Sequence, residues 1–305
     1  MTGTDEATGA SVRLGVFELL GPVGSGAMGV VFQGRHGPSG TPVAVKVLSA
    51  DHADAASREA FRREVQTAAG LRHRHIVPVL DHGTVPAGTV GLDAGVPYLV
   101  MALGESSLLR TARRLSWPAI ATLLFQLLDA LAHAHARGVV HCDLKPENVL
   151  LLREGGEALP ALTDFGVAHA FRAVDATIGI TRVRGTPQFM APEQFVSPRD
   201  IGPATDLYAL ACMTYEMVCR RLPFEGQSAL ALGMAHVRGP RPALDPAMPV
   251  PPELAGWIGE AVAAGETNYP PADGVLALRE AIRDHYEAVL GLDYPLASVV
   301  VGSGA

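Results

Sequence analysis

Eight consecutive residues, His141-Cys142-Asp143-Leu144-Lys145-Pro146-Glu147-Asn148, constrain this chain more tightly than any other stretch. They set a carboxylate, a cation and an amide at i, i+2 and i+5 inside a short loop stiffened by Pro146. The spacing suits a site where a hydroxyl is oriented and deprotonated while charge on a phosphoryl group is neutralised beside it. Asp143 is the candidate base, Lys145 the counter-charge, and Asn148 a candidate Mg2+ ligand. Asp164-Phe165-Gly166 follows by a hairpin's length and offers a second carboxylate for Mg2+. Alone that triplet reads as a turn; its distance from the loop gives it chemical meaning.

Composition matters here for one reason. Of 24 basic residues only two, Lys46 and Lys145, are lysines. A chain so rich in Ala, Gly, Pro and Arg lets lysine drift to arginine wherever a bulky, planar cation serves equally well. The two survivors therefore mark positions that need a compact point charge against a phosphate. Lys145 sits in the loop above. Lys46 ends the apolar run Val43-Ala44-Val45, a candidate strand from which an ammonium can reach phosphates if a carboxylate holds it. Glu64, in Arg62-Arg63-Glu64-Val65 on a charged, helical stretch, is the candidate holder.

Upstream lies Gly24-Ser25-Gly26-Ala27-Met28-Gly29-Val30-Val31. Glycines at such spacing let backbone N–H groups approach phosphate oxygens. By itself the motif is a glycine-rich hairpin. A dinucleotide-binding turn would enter a helix, whereas here the chain returns to β-branched residues.

The coarse organisation follows. Residues 1–12 are small and polar, a leader expected to be disordered. Short strands are expected between Phe17 and Val47, then a helix over 57–71, then strands at 77–80 and 98–101. After Gly104 the pattern turns helical, most clearly over 117–136, where Gln126, Asp129, His133 and His135 interrupt the apolar run and favour a core helix over a membrane span. Net charge is −7 with both signs interspersed, which gives no sign of a nucleic-acid or membrane-surface partner. Three scattered cysteines, Cys142, Cys212 and Cys219, lack metal or redox spacing, and no signal peptide is visible, so a cytoplasmic location is expected.

With those motifs in place the chain resembles eukaryotic-type (Hanks-type) serine/threonine protein kinases of bacteria, from about Phe17 to about Leu254. The resemblance implies an α+β, two-lobed fold, with a β-rich lobe over 13–101 and a helical lobe with its hinge over 102–264. It implies MgATP as the nucleotide and a protein Ser/Thr hydroxyl as acceptor. Nucleotide binding falls to Val23, Gly24, Gly26, Gly29, Val31, Ala44, Lys46, Glu64 and Met101, the last as gatekeeper before a hinge at 102–104. Catalysis falls to Asp143, Lys145 and Asn148, and metal binding to Asn148 and Asp164. Gly185 to Met190 and Ala191-Pro192-Glu193 resemble the peptide-docking segment, with Thr186 fitting serine/threonine specificity. Asp206 resembles the buried aspartate that ties a central helix to the catalytic loop. Ala68, Val79, His141 and Phe165 would form the regulatory spine. The same motifs leave open a nucleotide-binding pseudokinase or a related small-molecule phosphotransferase. The intact Lys46, Asp143, Asn148 and Asp164 weigh against the first, and the docking segment against the second.

Two departures stand out. Cys142 occupies the place where most regulated kinases carry an arginine that grips a phosphate on the activation loop, so weak dependence on phosphorylation of Thr177 or Thr181 is expected. Beyond Leu254 the usual arginine partner of Glu193 is missing, and Glu193 is expected to lie buried without a cation. The tail over 265–305 resembles instead an early segment of fold-type I PLP aminotransferases: Tyr269-Pro270-Pro271 with Gly274, Leu278-Arg279-Glu280-Ala281-Ile282, and a strand entering Gly302-Ser303-Gly304-Ala305. This points to a fusion or truncation junction near 252–265. The alternative is a kinase terminus whose amphipathic helix replaces the usual last one. No lysine follows Lys145, so no Schiff base with PLP can form in this segment.

Overall fold

The computed structural model describes residues 12–26, 29–48, 65, 68–165, 186–240 and 242–251. Among the described residues the strands are β1 Val12–Leu14, β2 Phe17–Gly26, β3 Gly29–His36, β4 Pro42–Leu48, β5 Val79–Thr84, β6 Pro97–Ala102, β7 Ser106–Ser107, β8 Val149–Glu154 and β9 Glu157–Leu162. The helices are α1 Trp117–His135, α2 Pro192–Val196, α3 Pro203–Cys219 and α4 Ala229–Arg238, with short 3-10 turns among them. Among the described residues two units emerge, one from 12–108 together with 149–165, the other from 109–148 together with 186–251.

The first unit is built on a six-stranded sheet of order β1-β2-β3-β4-β6-β5, every pair antiparallel. The β-branched run over 43–47 forms β4, inside the sheet between β3 and β6. From Val43 to Leu48 all its residues are buried, on both faces of the strand. That explains why this strand lacks apolar–polar alternation: no face of it meets water. Residues 77–80 and 98–101, expected as strands, become parts of β5 and β6, with β5 starting at Val79. A second sheet, β7-β8-β9, supplies the hairpin that leads to Asp164. It joins the preceding segment through Val77 N–H to Leu162 O at 2.8 Å and Leu162 N–H to His75 O at 2.9 Å. Of the helix expected over 57–71, Val65 and residues 68–71 are described: Val65, Ala68 and Ala69 are helical, Gly70 is in a turn and Leu71 lies past the helix.

The second unit is helical. Helix α1 passes the length and composition test for a membrane span, but it is amphipathic. Ile120, Leu123, Leu127, Ala130, Leu131 and Ala134 form a buried stripe at helical spacing, while Phe125 and Leu128 face outward. Helix α3 is buried nearly all round, with Met213 fully enclosed. It ends at Arg220, whose φ of 59° lies in the left-handed region. The Arg220 guanidinium donates to the carbonyls of Ala112 (3.0 Å) and Leu115 (2.8 Å), tying the helix end to the turn before α1. Both halves of the sequence expectation, β-rich first and helical second, are met by these two units.

Candidate active site

The residues expected to carry chemistry fall into two sets, one in each unit. In the β-rich unit, β4 carries Lys46 into the interior, where the residue is 6% exposed. Its Nζ donates to Asp164 Oδ1 at 2.8 Å. A desolvated ammonium needs a carboxylate within contact distance, and Asp164 supplies it two residues past the end of β9. Asp164 holds a φ of 62°, a left-handed conformation uncommon outside glycine, which turns the chain sharply at this point. Glu64, the holder expected from sequence, lies outside the described residues.

Strands β2 and β3 present the glycines. Gly24 pairs with Val31 and Gly26 with Gly29. Gly29 has a φ of 141°, and a Cβ there would run into the carbonyl oxygen of Val47 on β4, so only glycine fits. Ala44 is buried and faces Met101 across the β4–β6 pair, while Val23 is exposed and Val31 half-buried. Behind Met101 a small apolar cavity is lined by Val65, Ala68, Val79, Leu99 and Phe165 among others. Three residues of the expected spine, Ala68, Val79 and Phe165, thus line one cavity. The fourth, His141, belongs to the other unit, where it is fully buried.

In the helical unit the eight-residue loop closes on itself. Asn148 N–H donates to Lys145 O at 3.0 Å across a 3-10 turn, Pro146–Asn148. Lys145 Nζ lies 2.7 Å from Asp143 Oδ2. The Asn148 amide nitrogen donates to Asp143 O at 2.8 Å and to Asp143 Oδ2 at 3.2 Å. One oxygen of the Asp143 carboxylate is therefore held by an amide and a cation. Asp206, on α3 and 0% exposed, anchors the start of the loop. Its Oδ2 accepts the N–H of His141 and the ring Nε2–H of His135, and its Oδ1 accepts the N–H of Cys142, each at 2.8 Å. A buried carboxylate satisfied three times by donors is a rigid post.

Residues 17–251 match the protein kinase domain. The chain is a member of the protein kinase family. It is 39% identical to the serine/threonine-protein kinase PknA of Mycobacterium tuberculosis over 249 residues, which is 78% of this chain and 56% of PknA. It is 36% identical to the serine/threonine-protein kinase Pkn1 of Myxococcus xanthus over 240 residues, 76% of this chain and 33% of Pkn1. With PknH of Mycobacterium bovis it shares 34% identity over 278 residues, 88% of this chain and 44% of PknH. The matches thus cover about half or less of each of these curated relatives.

Read as a kinase, the structure adds residues that the sequence did not mark. His135 and Thr205 are two of them. Thr205 Oγ1 donates to Glu193 Oε1 at 2.6 Å, and Glu193 is half-buried rather than enclosed. The expectation of an enclosed Glu193 is corrected, and a hydroxyl on the first turn of α3 reaches it; the turn where a cationic partner was expected lies outside the described residues. Gln194 is a third, and it bridges Ala191 to Cys142. Each is an ordinary polar residue in the sequence, and no local spacing would have found it. Cys142 itself is buried, with φ at 64°. Gly166, Thr177, Thr181, Gly185 and the tail over 265–305 lie outside the described residues; Thr186 is described.

Residues Pro187 and Gln188 lie beside α4. His236 on that helix is buried against Phe195, Tyr208 and Phe224, with Tyr208 Oη 2.8 Å from its Nδ1. Burial pushes this imidazole down to about 4, against a smaller opposing pull from main-chain groups of Gln188 and Pro187. Next to Tyr208, burial pushes the Cys212 thiol up to about 12.

Proposed function

We propose that this chain is a serine/threonine protein kinase that transfers the γ-phosphate of MgATP to hydroxyls of proteins. The observation that carries the reading is the Asp143 carboxylate, fixed by Lys145 and Asn148 in a loop that Asp206 anchors. The acceptor hydroxyl approaches Asp143, its oxygen forms the new bond to the γ-phosphorus, and the bond from that phosphorus to the ADP oxygen breaks. Asp143 takes the hydroxyl proton as attack proceeds. Lys145 offsets the negative charge on the moving phosphoryl group, and Lys46 meets the non-transferred phosphates. Thr186 and the likeness to the serine/threonine-protein kinases PknA and Pkn1 support serine and threonine as acceptors.

Mg2+ fits the donors that these residues offer. Asn148 commits its amide nitrogen to Asp143, which leaves Oδ1 as its ligating atom, and Asp164 adds an anionic oxygen. Both are hard oxygen donors, and Mg2+ commonly takes one or two such groups together with substrate phosphates. When bound, the cation neutralises phosphate charge.

A cytoplasmic location belongs to the same proposal, supported by the three reduced, buried cysteines. So does the reading of the tail over 265–305 as an aminotransferase-like piece joined to a kinase, supported by the end of the protein kinase domain match at residue 251; the PknH match, over 88% of this chain, runs past that residue.

The test is transfer of γ-labelled phosphate from ATP to the chain itself and to a generic basic protein, with Asp143→Asn as control. Label that appears with the native chain and disappears in the control is the expected result. MgATP bound without transfer would instead favour a nucleotide-binding module.

A further inference from the structure

We infer that Gln194 is a positioning residue for the catalytic base, acting through the main chain of Cys142. Gln194 follows the Ala191-Pro192-Glu193 signature on the short helix α2 and is 6% exposed. Its amide oxygen accepts the N–H of Ala191 at 3.0 Å, and its amide nitrogen donates to the carbonyl of Cys142 at 2.8 Å. The two partners dictate which way the amide points, since a main-chain N–H can only donate and a carbonyl can only accept.

The geometry around Cys142 gives this bridge its consequence. Cys142 sits at φ 64°, where a non-glycine backbone persists only if its surroundings over-determine it. On its N-terminal side the N–H of Cys142 is held by Asp206 Oδ1. On its C-terminal side the peptide group shared with Asp143 is held at its oxygen by Gln194 Nε2. At its nitrogen, the same peptide group donates to His141 Nδ1 at 3.3 Å. Rotation of that one peptide plane is the motion that would swing the Asp143 carboxylate, and Gln194 is the side chain that pins its oxygen. The cysteine sulfur lies 3.7 Å from the Val140 carbonyl, while the tie described here joins the Cys142 main-chain carbonyl to the Gln194 side chain. Because Gln194 also fixes Ala191, which lies within the 185–193 segment, one side chain couples the acceptor's docking surface to the base.

The kinetic half of this inference rests on the kinase reading; the structural half does not, and the experiment separates them. Gln194→Glu keeps the acceptor for Ala191 N–H but sets an oxygen against the Cys142 carbonyl. Gln194→Met removes both bonds at similar volume. Amide hydrogen exchange over residues 140–146 should quicken in both variants, while exchange over strands β2 to β4 stays native-like. For Gln194→Glu at about pH 8, kcat should fall roughly tenfold to a hundredfold, with KM for ATP unchanged within about twofold, as expected from a misplaced group that does not bind nucleotide. The deficit should shrink towards about pH 6, because burial raises the new carboxyl's pKa and the protonated form again donates to Cys142 O. A purely structural role would give no such acid rescue. Native-like exchange in both variants overturns the inference, and so does a native kcat in Gln194→Glu. If Gln194→Met fails to fold, the Gln194→Glu arm decides. If the native chain transfers no phosphate, faster loop exchange in the variants still supports the clamp, and the kinase reading falls alone.

Discussion

Asp206 Oδ1 accepts the main-chain N–H of Cys142 at 2.8 Å, across 64 residues of sequence, while its other oxygen takes His141 N–H and His135 Nε2–H. The fully buried carboxylate thus replaces the local hydrogen bonds that a left-handed residue cannot make with its neighbours. Removing it leaves two main-chain donors and a ring N–H enclosed without an acceptor. Asp206→Ala should lose about 3–5 kcal/mol, the usual cost of stripping a buried, charged partner from its donors. Asp206→Asn, which keeps one acceptor oxygen, should lose less. Urea denaturation of the two variants reads the difference, and equal midpoints for both and for the native chain would refute the role of Asp206 as the loop's anchor.

Lys46 and Asp164 share an ion pair at 2.8 Å, with the lysine side chain 8% and the aspartate side chain 27% exposed. Burial on one side and access on the other suit a cation that exchanges its carboxylate contact for phosphate oxygens. Lys46→Met should lower phosphate transfer by about two to three orders of magnitude, the usual loss when a preorganised charge is removed from a phosphoryl site. Lys46→Arg should not restore it, since a planar guanidinium does not fit a slot shaped for a point charge. Full activity in Lys46→Arg would contradict the meaning given to the chain's two surviving lysines.

What the sequence disclosed was governed by how far chemistry dictates residue type. Spacing singled out Asp143, Lys145 and Asn148, which the structure brings into contact, and Gly29 was legible because a Cβ would strike Val47 O; the roles of base, phosphate cation and metal ligand remain those proposed above. The division into strands and helices was legible through periodicity, down to α1 as a core helix. The supports were not. His135, Thr205 and Gln194 reach partners 71, 12 and 52 residues away, respectively, and nothing local distinguishes them from solvated polar residues. Glu193 was expected to lie enclosed; it is half-buried and accepts the Thr205 hydroxyl, a contact that no motif encodes.

Cys142 bears on regulation. A thiol cannot grip a phosphate as a guanidinium fork does, and this one is buried with its sulfur directed at Val140 O. Phosphorylation at Thr177 or Thr181 therefore lacks the usual cationic latch at this position. A Thr177→Ala/Thr181→Ala double variant should keep its transfer rate within about threefold of native, whereas a latch-dependent kinase loses orders of magnitude when its loop is not ordered. Initial-rate assays on a phosphatase-treated native chain and the double variant make the comparison, and near-complete loss in either would overturn the expectation.

His236 gives the docking region an acid sensitivity whose sign follows from linkage. Its folded value is lowered to about 4 from 6.5, first by burial among Phe195, Tyr208 and Phe224. Below 6.5 the unfolded chain takes up a proton that the folded chain refuses, so the unfolded state is favoured progressively as pH falls from 6.5 to 4. The stabilisation is fully present above 6.5. Its loss across that window amounts to on the order of 3 kcal/mol for this one group. Replacing the ring by an uncharged one of similar shape, His236→Phe, sacrifices the Tyr208 bond at neutral pH but should flatten the acid slope. Denaturation midpoints at about pH 7.5, 6 and 5 for both proteins test this. Parallel slopes would mean that some other group governs the acid limb, while a flatter slope in the variant assigns it to His236.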